Sequence, residues 1–148
     1  MKQFKKLAMI LMAVCTLGVF NACGSDDDNT GSSLDLSTAT QAEITAIIVG
    51  NWDYTEDGAE AGENWTNRGT WSFMTDGSCS RKEWDDEDNE WTDGKEKYWD
   101  VTKKNEKWYL SIDQGKYNYE IQKISQNSFV LYKEYSQTDY SRYTFKRK

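Results

Sequence analysis

The sequence predicts an all-β fold, a barrel or sandwich of eight antiparallel strands preceded by one short helix. Three observations predict it. From Gly50 onward, short runs rich in aromatic and β-branched residues alternate apolar and polar side chains with a period of two. Polar turn sequences punctuate these runs about every 8–12 residues, the spacing of hairpin-built folds. No connector leaves room for crossover helices, which excludes a parallel sheet, and the absence of proline leaves every strand unbroken.

The helix comes first. Thr40-Gln41-Ala42-Glu43 has the pattern of a capping box. Ile44, Ile47 and Ile48 then share one helical face. Gly50 is a natural stop because it accepts a positive φ. The strands follow at about 51–56, 68–75, 78–84, 96–102, 107–113, 116–124, 129–135 and 140–147. Asp76-Gly77 signals a two-residue hairpin of type I′. The stretches 103–106, 114–115, 125–128 and 136–139 have the Asn, Gly and Ser content of turns. Alternation assigns fourteen residues to the core: Trp71 and Phe73; Trp99 and Val101; Trp108, Leu110 and Ile112; Tyr117, Tyr119 and Ile121; Phe129 and Leu131; Tyr143 and Phe145.

The N-terminus reads as processing signal. Lys2, Lys5 and Lys6 form a positive region before the apolar run from Leu7 to Phe20, which is too short for a lasting membrane span. Phe20-Asn21-Ala22-Cys23 follows and resembles the lipobox of bacterial lipoproteins. That resemblance implies a signal peptide over 1–22 and an acylated, palmitate-bearing Cys23. Gly24-Ser25-Asp26-Asp27-Asp28 opens an acidic, solvated tether over 23–39. It resembles the surface-export signal of Bacteroidota lipoproteins, which implies an outer-membrane protein exposed at the cell surface. The folded domain is expected over 40–148. Cys15 leaves with the signal peptide and Cys23 carries lipid, so Cys79 is unpaired, and a buried, inert thiol is expected there.

At Gly50-Asn51-Trp52 the chain resembles the lipocalin and calycin group. It is closer still to the lipocalin-like domains of Bacteroidota lipoproteins, on Phe73-Met74-Thr75-Asp76-Gly77 and the last strand through Tyr143-Thr144-Phe145-Lys146-Arg147. The resemblance covers about 45–148 and implies an eight-stranded up-and-down barrel. It also implies that Trp52, beside Gly50, closes one barrel end under a last-strand arginine, with Arg142 as first candidate and Arg147 as second.

Composition narrows the chemistry. The 148 residues carry 25 acids, 18 Lys and Arg, and no histidine, for a net charge of −7. Without histidine, Ser-His-Asp and Cys-His catalysis and imidazole-dependent zinc sites are excluded. Loss of 1–22 would remove three lysines and no acid, leaving −10. So acidic a protein is a poor nucleic-acid binder. The charge is uneven: residues 53–94 hold 13 acids and 3 bases, residues 95–148 hold 7 acids and 12 bases.

The lipocalin-like resemblance implies binding rather than catalysis, with no cofactor, no metal and no enzymatic residues assigned. Trp71, Trp99, Trp108 and Tyr119 are candidate walls for a small hydrophobic ligand; the alternative is that these rings fill the barrel. Five acids lie between Trp84 and Trp91 and a sixth, Asp93, just beyond, a stretch readable as a calcium loop, a sugar-stacking loop or a solvated hairpin tip whose indoles pair across the strands. A filled barrel presenting Trp65, Trp84 and Trp91 as a flat stripe would instead make a surface glycan- or protein-binding module.

Overall fold

The computed structural model describes residues 32–94 and 96–148. The segments read from sequence as a signal peptide (1–22), a lipobox ending at Cys23 and a Ser-Asp export run lie outside the described residues.

One helix and nine strands follow in order: α1 (Gln41–Ile48), β1 (Gly50–Glu60), β2 (Glu63–Phe73), β3 (Ser78–Asp85), β4 (Glu90–Asp93), β5 (Lys97–Lys104), β6 (Lys107–Ile112), β7 (Tyr117–Ile124), β8 (Ser128–Glu134) and β9 (Tyr140–Arg147). Neighbouring strands pair antiparallel, and the sheet closes into an eight-stranded barrel through β1–β9 and β2–β3. The ninth strand, β4, is extra: it pairs only with the far half of β3, Lys82–Asp85.

Two stretches expected as connectors are strand. β1 and β2 run on to a tight turn at Ala61-Gly62, so 57–67 is ladder rather than loop. Its side chains are too polar to show an apolar period, because this part of the hairpin is largely solvated on both faces. The acidic stretch after Trp84 folds back as the β3–β4 hairpin, and Trp84 and Trp91 pair directly across it. The turn at Asp76-Gly77 also differs from expectation. Only Gly77 takes a positive φ, 85°, and Gly77 N–H bonds to the Met74 carbonyl, so the turn is a three-residue loop and not type I′. Asp76 stabilises it by accepting from the Ser78 backbone N–H and hydroxyl.

α1 forms as its sequence dictates. The Thr40 side chain accepts from Glu43 N–H while the Glu43 carboxylate accepts from Thr40 N–H, completing the capping box. Ile44, Ile47 and Ile48 are buried. The domain begins earlier than residue 40. Leu34 N–H donates to the Ile124 carbonyl, and Leu34 and Leu36 pack on the core. They are the two apolar residues of an otherwise polar stretch, and burying them offsets the entropy of ordering it.

All fourteen assigned inward residues join the core, Tyr117 at its edge. The rings crowd toward the end covered by α1, where β1 starts and β9 finishes. Phe129 stacks on Phe145 at 4.1 Å, Trp52 meets Phe129 edge-on at 4.6 Å, and Trp71 stacks on Phe73 at 5.3 Å. Each such ring contributes about 1.5–3 kcal/mol by leaving water. This end of the barrel is filled.

Barrel closure uses the second arginine candidate. The Arg147 guanidinium lies 4.2 Å from the centre of the Trp52 ring, whereas Arg142 lies over Tyr132 on the outer face. The pleat decides this. In β9 Ser141, Tyr143 and Phe145 point inward, so Arg142 points outward and Arg147 falls on the inward set at the closed end.

Candidate functional site

The other end of the barrel is not filled, and the reason is strand pairing. β5 meets β3 at only two residue pairs, Ser78 with Tyr98 and Cys79 with Lys97. Beyond Cys79 the edge of β3 is taken by Gly94, whose N–H bonds to the Arg81 carbonyl, and then by β4. The wall therefore parts between β3 and the β6–β7 hairpin. A cavity of about 290 Å³ occupies the gap, lined by Trp71, Cys79 and Arg81 on one side and by Ile112, Tyr117 and Tyr119 on the other, with Lys97 and Gly94 at the seam. Its volume is at the small end of ligand pockets.

Trp71 is 5% exposed, and its Nε1–H is the one buried side-chain polar atom among the described residues with no hydrogen-bond partner. The Cys79 thiol is near enough to feel this indole, but the geometry makes no hydrogen bond. An unmet buried donor costs about 1–3 kcal/mol, and here it belongs to a residue that lines a cavity. Cys79 itself is an inert thiol: it is 1% exposed, and burial raises its pKa.

Arg81 organises the polar part. Its Nε–H donates to the Tyr54 hydroxyl at 2.7 Å, and its Nη2 reaches Glu83 at 2.8 Å and buried Glu56 at 3.2 Å. Its guanidinium faces the rings of Tyr54, Trp71 and Tyr143 at 5.0, 5.4 and 5.7 Å. Register brings it there: the Asp76-Gly77 turn sets Phe73 opposite Cys79 and Trp71 opposite Arg81, all facing inward. Burial, opposed in part by the Arg81 charge, pushes the Tyr54 hydroxyl up to about 12. Burial also pushes Tyr119 up to about 12, and raises Tyr143, with the Tyr119 phenol and the Glu56 carboxylate beside it adding to the rise.

Of the four candidate wall residues, the structure brings Trp71 and Tyr119 to the cavity and leaves two elsewhere. Trp99 donates from Nε1 to the Met74 carbonyl and borders a separate depression shared with Tyr98, Asp100 and Ser111. Trp108 lies at the start of β6, toward the closed end, and donates to the Leu36 carbonyl under the N-terminal segment. Strand tilt is the reason: residues of one inward row stand at different heights along the barrel, and it is Ile112, at the far end of β6, that reaches the gap. Arg81, Lys97, Ile112 and Tyr117 were not assigned to the site from sequence. The signal for Arg81 lay in the hairpin register. It was hidden because Cys79-Arg81-Glu83 and Ser80-Lys82-Trp84 are both mixed rows with no apolar side to choose.

The acidic hairpin is a paired tip. Trp84 and Trp91 meet edge-on at 5.3 Å, Trp84 Nε1–H donates to Asp86, Arg68 pairs with Asp86, and Asp85 caps the N–H groups of Glu87 and Asp88. Among the described residues no three carboxylates converge on a metal-sized point. Trp65 does not join these indoles. It pairs with Gly58 on the inward set of the β1–β2 hairpin, while Trp84 points outward from β3, so the three do not form a stripe.

Compared with protein-family models, with curated proteins and with solved structures, the chain matches none. The closed antiparallel barrel is compatible with a lipocalin-like fold.

Proposed function

We propose that this protein is a lipocalin-like lipoprotein of the Bacteroidota type, anchored to the outer membrane through Cys23 and exposed at the cell surface. Its barrel binds one small ligand and carries out no catalysis. The observation that carries the binding reading is the cavity at the β3–β5 seam, with Trp71, Ile112, Tyr117 and Tyr119 as its apolar walls. Protein interiors are close-packed with few voids, so a gap of this size in the wall supports a binding site. The half-filled interior sets the size: rings occupy the α1 end and leave room for a single small molecule. The rival reading, a filled barrel displaying three tryptophans, loses its main support because Trp65 lies on the other face from Trp84 and Trp91.

The test is native mass spectrometry of the full chain isolated from membranes. A reproducible added mass, released on denaturation, together with ligand-dependent quenching of tryptophan emission, is the expected result. A bare mass and emission unmoved by a panel of small aromatic and apolar compounds would reject the binding reading. Metabolic labelling with palmitate, lost in Cys23→Ser, tests the anchor separately.

A further inference from the structure

We propose that the ligand is a small organic anion, with a flat apolar body in the cavity and its acidic group held among Lys97, Lys116 and Lys133. This rests on reading the cavity as a ligand site.

The argument starts from Tyr117, on the cavity wall. Three ammonium groups surround its ring: Lys97 at 4.8 Å, Lys133 at 5.1 Å and Lys116 at 5.2 Å from the centroid. Those distances keep any two of the charges within about 10 Å, roughly a Debye length, so their repulsion is only partly screened. Among the described residues none of the three has a carboxylate within ion-pair distance, although Lys82, Lys103, Lys107 and Lys148 each do. The phenol ring offsets part of the repulsion through its π face, but it supplies no counter-charge.

Topology shows that this is a rim and not scattered surface. Lys97 lies on the inward set of β5 beside Cys79, and Lys133 on the inward set of β8 after Phe129 and Leu131. Lys133 also lies 5.5 Å from the ring of Tyr119, a second wall residue. Lys116 stands in the β6–β7 turn, at the barrel end opposite α1. Arg81 is already committed to Glu56 and Glu83, so the uncompensated positive charge at this mouth belongs to the lysines. The apolar half of the site is Trp71, Ile112 and Tyr119. An acid with a ring-shaped apolar body satisfies both halves; a neutral lipid or a cation does not.

Two isosteric pairs test this by calorimetric titration of the full chain: 2-naphthoate against 2-naphthamide, and benzoate against benzamide. Each pair keeps the ring and changes only the charge. The expected result is that the acid of at least one pair binds about tenfold more tightly than its amide. That preference is lost in the Lys97→Gln/Lys116→Gln/Lys133→Gln variant and shrinks as salt is raised on the unaltered protein. Equal binding of acid and amide would overturn the anion inference and leave the cavity reading standing. No binding by any of the four would overturn both. A preference that survives the triple substitution, or that ignores salt, would overturn the assignment to these lysines. The salt series needs no variant, so the inference stays exposed to failure even if the triple variant does not fold.

Discussion

Arg147 caps the helix whose end Trp52 also caps. Trp52 Nε1–H donates to the Ile48 carbonyl at 2.7 Å, and Arg147, stacked over the same indole, donates to the carbonyls of Ile47 at 2.6 Å and Val49 at 3.3 Å. Three consecutive carbonyls at the end of α1, which have no partner within the helix, are thus met from the first and last strands. A cation at a helix C-terminus also interacts favourably with the helix dipole.

Arg147→Ala is expected to destabilise the domain by about 2 kcal/mol, from three charge-assisted bonds (the third to the Gln126 carbonyl) and one cation–indole contact, discounted for partial exposure. Arg142→Ala, on the outer face, is expected to change stability by less than about 0.5 kcal/mol. Urea unfolding of both variants checks this; equal effects would count against closure by Arg147.

Gly50 is held in place by the same contact. Its φ is +138°, and a Cβ there would stand 2.7 Å from Arg147 Nη1. Gly50→Ala is therefore expected to lower stability by more than about 1 kcal/mol, through backbone strain and displacement of the guanidinium. In the Arg147→Ala background the cost falls to the strain alone, and a double-mutant cycle measures the difference.

Arg81 joins buried Glu56 to the phenols of the barrel interior. Arg81→Met leaves Glu56 with its ion-pair partner removed, and a loss of about 3 kcal/mol is expected. Adding Glu56→Gln should recover part of that loss, because an amide tolerates burial better than an unpaired carboxylate. Thermal unfolding of the single and double variants decides it; additive losses would mean that the pair is not coupled.

The buried phenols make the fold sensitive to alkali. Tyr54 and Tyr119 ionise near 12 in the folded state and near 10.0 when unfolded. Between those values the folded state binds more protons than the unfolded one, so stability is fully present below about pH 10 and is lost as pH rises toward 12. An ultraviolet titration of phenolate, run beside circular dichroism, should show the last tyrosines ionising together with loss of tertiary signal. Ionisation of every tyrosine in an intact fold would refute this.

Trp84 and Trp91 hold the acidic hairpin without supporting the barrel. Trp91 is 50% exposed, and the pair contributes about 0.5–1 kcal/mol locally. Trp91→Ala should abolish the exciton signal of coupled indoles in the far ultraviolet while shifting the melting temperature little. Calcium should leave that temperature unchanged.

The strand periodicity, the capping box at Thr40 and Glu43 and the isoleucine face were legible in the sequence because each is a local pattern that burial acts on directly. The order of charge was legible too: the basic second half of the chain supplies Lys97, Lys116 and Lys133. Only the tertiary structure decided where those residues meet. The same alternation that fixes an inward face says nothing about height along a tilted barrel, so Trp108 and Ile112, on one row of β6, end at opposite ends of the interior. The seam beside Trp71 arises from how few residues of β3 pair with β5, a long-range register that no short stretch of sequence encodes.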